Sequence, residues 1–333
     1  MIEFNLSLFS LLIIYFINKY RKEIGKKTKL IDRPDKIRKL HKKPTPLLGG
    51  IMVFSSFILI NLYLVFFQGI DKTSLIIFSS CTGCFILGLI DDIKRISYKY
   101  KFLILTIIFY SFLSFDPNLQ INKIYFSTFN EEFYLNYLSI PFTILCLLLL
   151  TNAINLIDGV DGLCVLISII FMTWLMYALQ NTEPLYIVVI ASLIYVLYLN
   201  LKKNIFLGDS GSLFLGCLIG LSIILDYNIQ ISNIRYPVES IFIALMLPGI
   251  DMLRVFAVRI INNKNPFTPD RSHLHHLLIS QGINSSNILT IFALLILLPI
   301  LLNFFTSFKS IYIILFYILF YFVLFLRLKK FIC

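Results

Sequence analysis

The chain has 333 residues, of which 58% are hydrophobic, 15% are aromatic and only 14% are charged. Its mean hydropathy of +0.86 excludes an ordinary soluble domain, in which about 25% of residues are charged, and also excludes an intrinsically disordered chain. The net charge of +11 would suggest a nucleic-acid partner in a soluble protein. In a membrane protein it suggests unequal charge on the loops of the two sides, so we expect no nucleic-acid partner.

Apolar stretches recur along the whole chain and predict eleven membrane spans. Several are shorter than the usual length of about 20 residues. The first has no basic region before it and no small-residue cleavage site after it, so it is predicted to be an anchor and not a signal peptide. The predicted spans are residues 2–18, 47–67, 75–90, 102–115, 140–157, 163–179, 185–200, 211–225, 238–253, 288–306 and 311–326.

The distribution of basic residues predicts the orientation of these spans. With the N-terminus outside and every span crossing, 25 Lys and Arg lie in cytoplasmic segments and 4 lie outside. This asymmetry follows the positive-inside rule and places the C-terminus in the cytoplasm. The predicted fold is therefore all-α, a polytopic integral membrane bundle of about 11 transmembrane helices.

The loops predict one membrane domain, residues 1–333, without a long soluble part. Its active-site face is expected to consist of the cytoplasmic loops 19–46, 91–101, 152–162, 200–210 and 254–287.

In the longest external segment, residues 121–126 and 133–138 are predicted to form a small hairpin around residues 130–131. Cys81 and Cys84 have a redox or zinc spacing, but they lie in an apolar run without a second pair and are predicted to be small residues on a buried helix face.

Polar side chains gather at the ends of predicted spans, although an ionisable group inside a bilayer costs at least about 2.5 kcal/mol. By the charge count, all of them face the cytoplasm. Each has a structural explanation: a span end, an Asp-Gly turn, or an N-cap, although glycines at a helix N-terminus could equally admit a phosphate. They are Asp91 and Asp92; Asn152, Asn155, Asp158 and Asp161; Asp209; and His273, His275 and His276 beside Arg271.

Together these groups favour one kind of site. Loop 152–162 contains carboxylates but no Lys or Arg, so we expect a cation from elsewhere in the chain. Carboxylate and amide oxygens surrounded by basic groups suit Mg²⁺, with Mn²⁺ as the alternative, and the handling of a phosphate or diphosphate at a membrane surface. Zinc is less suitable, because no cysteine reaches this face and the histidines lie beside Arg271.

Five motifs follow one another along the chain: Asp32-Arg-Pro-Asp with His41-Lys-Lys-Pro-Thr-Pro-Leu-Leu-Gly-Gly50, Gly88-Leu-Ile-Asp-Asp92, Asn152-x-x-Asn-x-x-Asp-Gly-x-Asp-Gly162, Gly208-Asp-Ser-Gly-Ser212 and Pro269-Asp-Arg-Ser-His-Leu-His-His276. In this order they resemble the motifs of the polyprenyl-phosphate N-acetylhexosamine-1-phosphate transferases, over roughly residues 30 to 280. The eleven spans are similar to those of the family's GlcNAc-1-phosphate branch. One departure is Leu47, where many relatives have Arg before the glycines.

The resemblance implies a reaction in the bacterial inner membrane. Undecaprenyl phosphate attacks the β-phosphorus of a UDP-sugar, UMP leaves, and the sugar C1–O bond stays intact. The histidine motif is closer to that of enzymes that begin O-antigen, common-antigen or teichoic-acid linkage synthesis than to that of the MurNAc-pentapeptide translocase. UDP-GlcNAc is therefore the expected donor. UDP-linked 6-deoxy-N-acetylhexosamines and UDP-MurNAc-pentapeptide stay open, and loop 254–287 is where selection is expected.

The phosphate nucleophile has a second pKa near about 6 and is largely dianionic in the cytoplasm, so the chemistry requires little general base. We expect Asp209, with Asn155, to bind Mg²⁺. Asp91 and Asp92 should position the metal or the lipid phosphate, and Asp91 is the base if there is one. The remaining expected contacts are Asp158 and Asp161 with uridine or ribose, supported by Asn152 or Asn155; His273, His275, His276 and Arg271 with phosphate or sugar; and Lys42, Lys43 and His41 with lipid phosphate or nucleotide.

Two other classes of membrane protein would have different sequence features. A transporter of lipid-linked sugars would place its polar groups near the bilayer midplane and contain an inverted repeat. A CDP-alcohol phosphatidyltransferase would have Ala-Arg after Asp-Gly, which Asp158-Gly-Val-Asp-Gly does not. The sequence leaves open whether the reaction has a covalent intermediate and whether the chain forms a homodimer.

Overall fold

The structure is a computed structural model that describes residues 2–33, 43–178, 183–233, 237–265, 272–306 and 308–330. In these residues thirteen α-helices form a bundle, and eleven of them coincide with the predicted spans. They are α1 (Ile2–Lys19), α2 (Arg21–Thr28), α3 (Gly49–Tyr63), α4 (Lys72–Lys94), α5 (Tyr98–Leu113), α6 (Ser139–Ile157), α7 (Leu163–Ala178), α8 (Pro184–Leu201), α9 (Gly208–Asn233), α10 (Val238–Ile261), α11 (Leu274–Ser280), α12 (Ser285–Phe305) and α13 (Ser310–Lys330).

The apolar helices confirm an all-α polytopic membrane protein. Eight of the described helical stretches are long and apolar enough to cross a bilayer, namely α4, α6, α8, α9, α10, α12, α13, and α3 with the π-helical turn that continues it to Gln68. Helices α5 and α7 have only 16 residues each. The number of crossings and their orientation stay predictions.

Helix α9 lies at the centre of the bundle. It packs against α3, α4, α6 and α7, and nearly all of its side chains are buried. Its interior face is made of apolar and small residues, including Cys217, whose Sγ lies 3.8 Å from that of Cys81 on α4. Cys81 and Cys84 are both fully buried, on the face of α4 that meets α9. The elements around α9 are thus fixed by close packing.

The external hairpin differs in part from its prediction. Strand β3 (Lys123–Phe126) pairs antiparallel with β4 (Glu131–Tyr134), in a register that places Lys123 opposite Tyr134. The predicted second strand, 133–138, was wrong by two residues at its start and four at its end. The chain reverses at 127–130, where Asn130 has a positive φ of 54°, and residues 136–138 form a 3₁₀ turn.

The first cytoplasmic loop is attached to the start of α9. Strand β1 (Ile31–Asp32) pairs with β2 (Thr45–Pro46), and the Phe206 amide donates to the Pro46 carbonyl (2.8 Å). The amides of Gly49 and Gly50 donate to the carbonyls of Phe206 and Leu207, each at 2.9 Å. These bonds hold the N-terminus of α3 beside that of α9. The short helices α2 and α11 were not predicted as elements.

Candidate active site

One end of the bundle contains a cleft of about 800 Å³ to which all five predicted motifs contribute residues. The end of α4, the loop after α6, the segment before α9, and α11 with the start of α12 all contribute to its wall. The motif residues that line it are Asp32, Leu47, Asp91, Asp92, Asp158, Gly159, Asp161, Gly208, Asp209 and His276. The structure thus brings together residues that are far apart in sequence, including part of the first loop.

Asp91 and Asp209 share the ammonium group of Lys101. Lys101 Nζ lies 2.6 Å from Asp209 Oδ2 and also forms an ion pair with Asp91 Oδ2. The second oxygen of Asp91 accepts from the amide of Ile96 in the turn between α4 and α5. Sequence analysis missed Lys101 as a site residue because it was counted only as part of a basic loop.

Asp92 has a different position from its neighbour. Its carboxylate accepts hydrogen bonds from the amides of Asp209 (2.8 Å) and Ser210 (3.1 Å), the first turn of α9. Asp92 therefore caps α9 from another helix and supplies a negative charge at the positive end of the helix dipole. The sequence suggested either that Asp209 or Ser210 caps α9 or that the amides of this terminus bind a phosphate. Because the two amides donate to Asp92, neither alternative describes the start of α9.

Glycines allow the helices to meet at this point. A Cβ on Gly88 of α4 would lie 2.4 Å from the carbonyl oxygen of Asp209, and one on Gly50 of α3 would lie 2.4 Å from the amide nitrogen of Gly211. Gly208 has φ +78°, which favours glycine, and a Cβ there would lie 2.7 Å from Asp92 Oδ2. The start of α9 is therefore enclosed by backbone on two sides.

The loop after α6 forms the opposite wall of the cleft. Burial, and then the charges of Asp209, Asp92 and Asp161, raise the pKa of Asp158 to about 8. Lys203 Nζ lies 3.5 Å from Asp161 Oδ2, which confirms that a cation from elsewhere balances this loop.

The side-chain amides of Asn152 and Asn155, both predicted site residues, form hydrogen bonds within α6 or to the neighbouring helix α9. Asn155 Oδ1 accepts from the Ser212 hydroxyl of α9 (2.7 Å), and Asn152 Nδ2 donates to the Leu148 carbonyl (2.7 Å). Asn155 thus reaches α9, as its predicted role beside Asp209 requires, although its carbonyl oxygen is engaged by a serine. Asn152 is bonded to its own helix.

The three histidines are not equivalent. Only His276 lies on the cleft wall, whereas His273 and His275 are buried, with exposed fractions of 4% and 1%. His273 is held inward by Asp251 (Nδ1 to Oδ2, 2.9 Å), and His275 packs against Gly159, where a Cβ would lie 2.4 Å from Nε2. Burial, and then the neighbouring His276, lower the pKa of His275 to about 3, so it is neutral. All three histidines were expected to contact the substrate. In the structure His276 lines the cleft, and His273 and His275 are buried behind it.

The structure does not test the roles predicted for several basic residues. Lys42, His41 and Arg271 lie outside the described residues. Lys43 is exposed at the end of the first loop, where its carbonyl accepts from the Thr45 hydroxyl (3.1 Å). Their roles stay predictions.

The donor atoms around Lys101 suit a hard cation. Within the described residues no three His, Cys, Asp or Glu side chains form a ready-made metal group. Asp91 and Asp209 nevertheless already hold a positive group between their oxygens, and carboxylate oxygens are the ligands that Mg²⁺ prefers. The residues present therefore fit a magnesium ion better than a softer metal.

Sequence analysis also missed the residues that support the histidines. Asp251 and Arg254 occur three residues apart in α10, and Tyr321 comes from α13. The spacing of an acid and a base within an apolar helix was a usable signal, because charges in such helices are costly unless paired. Tyr321 gave no such signal, since its partner is 70 residues away.

Comparisons with known proteins agree with this architecture. Residues 74–226, which contain three of the motifs, match the family described as glycosyl transferase family 4. A probable undecaprenyl-phosphate N-acetylglucosaminyl 1-phosphate transferase of Bacillus subtilis (strain 168) is 33% identical over 286 residues, which are 83% of this chain and 76% of the relative. Undecaprenyl-phosphate alpha-N-acetylglucosaminyl 1-phosphate transferases of Escherichia coli (strain K12) and Thermotoga maritima are 28% and 27% identical, over 84% and 80% of this chain and 76% and 78% of their own lengths. The chain therefore belongs to glycosyl transferase family 4, the membrane transferases that its ordered motifs resemble.

Proposed function

We propose that this protein transfers GlcNAc-1-phosphate from UDP-GlcNAc to undecaprenyl phosphate, with release of UMP, as the first step of a cell-surface glycan. The observation that carries the proposal is the cleft in which Asp91, Asp209, the loop after α6 and His276 meet at one end of apolar helices. The relatives' names give the same lipid acceptor and the same sugar.

The reaction is a displacement at phosphorus. An oxygen of the lipid phosphate forms a bond to the β-phosphorus of the donor, and the bridging oxygen leaves with UMP. Because the attacking group is largely dianionic at neutral pH, the protein need not remove a proton from it. The task of the site is to bring two anions together and to stabilise the charge on the leaving phosphate.

The chain's own residues can orient both anions. Asp92 fixes the start of α9 and thereby the position of Asp209. The Lys101 ammonium lies between the carboxylates of Asp91 and Asp209. It could replace its bond to one of them by a bond to a phosphate oxygen as negative charge develops on the leaving phosphate. Because all three line the cleft, we assign nucleotide binding to Asp161 and Lys203, and contact with the sugar or its phosphate to His276.

Mg²⁺ belongs to this proposal. Asp209 and Asp91 would hold it, with Asn155 as the additional oxygen ligand if its bond to Ser212 is exchanged. When bound, the ion neutralises charge on the donor diphosphate.

The cleft is proposed to face the cytoplasm of the bacterial inner membrane. The end of α4, the end of α6 and the start of α9 were assigned to that side by charge alone, and they meet in one cleft. The β3–β4 hairpin, assigned to the outside, contacts Glu239 in the first turn of α10, whereas Asp251, which binds His273, lies near the middle of that helix. Their separation supports alternate crossings of the helices between them.

The test is a lipid-product assay on membranes from expressing cells. Membranes receive labelled UDP-GlcNAc, undecaprenyl phosphate and Mg²⁺, and both butanol-extractable label and UMP are measured. Asp209→Asn should abolish both products, whereas Asp116→Asn, a buried carboxylate that accepts from Thr73, should retain activity. Parallel reactions with other UDP-N-acetyl sugars identify the donor. Absence of lipid product from every UDP-sugar refutes the proposal.

A further inference from the structure

Behind the cleft, a buried cluster of polar side chains joins α10, α11 and α13. Asp251 Oδ2 lies 2.9 Å from His273 Nδ1, and Oδ1 accepts from the Tyr321 hydroxyl and from Arg254 Nη2, both at 2.7 Å. The Leu274 amide, the first of α11, also donates to Asp251 Oδ1 (3.1 Å). One carboxylate therefore binds a histidine, caps the helix that follows it, and reaches the last helix of the chain.

Arg254 closes the cluster. Its Nη2 also donates to the Ser272 carbonyl (2.7 Å), and its Nε donates to the Tyr321 hydroxyl (2.8 Å). The Arg254 guanidinium lies over the ring of Phe325, 4.3 Å from its centroid. The arginine thus fixes the chain just before His273, while Asp251 fixes His273 itself.

Burial makes this arrangement specific. Asp251, Arg254, His273 and Tyr321 are 4%, 6%, 4% and 1% exposed. Removal of one partner of a buried ion pair leaves an uncompensated charge in a low-dielectric site, so the cluster has few alternative arrangements. A buried hydrogen-bonded network of this kind holds backbone as well as side chains in place.

The cluster is connected to the cleft through the histidine rings. The Asp251 carboxylate favours a proton on His273 Nδ1, and Nε2 has no hydrogen-bond partner within the described residues. The rings of His273 and His275 are nearly parallel, 7° apart, with centroids separated by 5.9 Å. The His275 and His276 centroids are 4.2 Å apart, and His276 lines the cleft.

From these contacts we propose that Asp251, Arg254 and Tyr321 are positioning residues that hold the histidine motif so that His276 faces the cleft. The inference rests on the proposed transferase function and adds the last helix, α13, to the apparatus of the site. If the cluster serves only to attach α13 to the bundle, its loss should lower the stability of the protein without changing the catalytic contribution of His276. A positioning role and a purely structural role therefore predict different kinetics.

The experiment compares two matched removals of a buried hydroxyl. Tyr321→Phe removes the hydroxyl that donates to Asp251 and accepts from Arg254, and Tyr186→Phe removes the hydroxyl that donates to Asp226 (3.2 Å) between α8 and α9. We expect Tyr321→Phe to lower kcat for lipid product about tenfold, the lower end of the usual effect of supporting residues around a site, with KM for UDP-GlcNAc little changed. Tyr186→Phe should retain wild-type kcat. Equal kcat in the two variants overturns the proposal.

A double-mutant cycle tests the connection to His276. If Asp251 acts through the histidine motif, Asp251→Asn should lower kcat strongly in the wild type but by less than about twofold in a His276→Ala background. Fully multiplicative effects overturn the proposal, because they mean that Asp251 acts independently of His276.

Hydrogen exchange provides a readout that does not require activity. Asp251→Asn should raise deuterium uptake in residues 272–280 of the detergent-solubilised protein, while α4 and α9 stay protected. Wild-type membranes that make no lipid product refute the proposed function and leave this test valid. Unchanged uptake in residues 272–280, or a uniform rise throughout the chain, overturns the positioning role.

Discussion

Replacement of Gly88 by alanine is the sharpest test of how the acidic site is built. Gly88 lies three residues before Asp91 on α4, at the point where that helix touches the start of α9. The added Cβ would lie 2.4 Å from the Asp209 carbonyl oxygen and 2.5 Å from the amide nitrogen and Cα of Ser210. All three neighbours are backbone atoms, so a change of rotamer cannot relieve the contact.

The size of the effect follows from these distances. Ordinary contact with a Cβ begins near 3.4 Å, so the start of α9 must retreat from α4 by about 1 Å. The Asp209 amide donates to Asp92 (2.8 Å), and Lys101 donates to the Asp209 carboxylate (2.6 Å). A displacement of about 1 Å is enough to break both hydrogen bonds. A shift of about 1 Å in a reacting geometry can cost about 100-fold in rate, and we expect a loss of this order.

Gly83→Ala on the same helix is the matched control. Its Cβ would lie 3.3 Å from Cδ1 of Ile108, the end of a flexible side chain. Both substitutions gain up to about 1 kcal/mol of helix propensity, so the comparison isolates the backbone clash. The assay is the initial rate of lipid product, measured with the melting temperature of each variant. If Gly88→Ala has a rate within twofold of Gly83→Ala, the reasoning about backbone contact at α9 is wrong.

Three further changes test separate parts of the site. Lys101→Met should reduce lipid product at least about tenfold, because two carboxylates then face each other without the ammonium, and Lys101→Arg should recover part of the rate. With chelator present, the free energy of unfolding should fall as the pH rises from about 4 to about 8, because the native state keeps the Asp158 proton that the unfolded chain loses. In thermal unfolding, Asp158→Asn should show a smaller dependence of stability on pH than the wild type. Gly159→Ala should lower activity about tenfold or more, since its Cβ would lie 2.4 Å from His275 Nε2, whereas Gly249→Ala, which meets nothing within 4 Å, should match the wild type in the same rate assay.

The sequence predicted the helices well because long apolar runs report membrane spans directly. Its errors were at the ends. Helix α9 continues to Asn233 and α10 to Ile261, beyond the predicted ends at 225 and 253. Both extensions contain polar residues that are bonded inside the protein, such as Asp226 with Tyr186, and hydropathy cannot distinguish these from loop residues.

The site was predicted in part for a similar reason. Ordered motifs identified Asp91, Asp209 and His276, which do meet in one cleft. Their orientation depends on partners from other helices, such as Lys101, and single-sequence patterns do not reveal which distant side chains pair. The same limit explains why Asp92, adjacent to Asp91, was given a similar role although its oxygens point to the α9 backbone.

The charge of the cleft gives the proposed metal a physical reason. Among the described residues, six aspartates line the cleft, together with the cationic side chains of Arg95 and Lys203, and Lys101 is already paired with Asp91 and Asp209. The amides at the start of α9, which could otherwise bind a phosphate, donate to Asp92. The described part of this surface would therefore present more negative than positive charge to a UDP-sugar diphosphate, even with Asp158 protonated at neutral pH. An added divalent cation, held by carboxylate oxygens, would offset that excess where the phosphates must approach, and this supports the magnesium-dependent reaction that we propose.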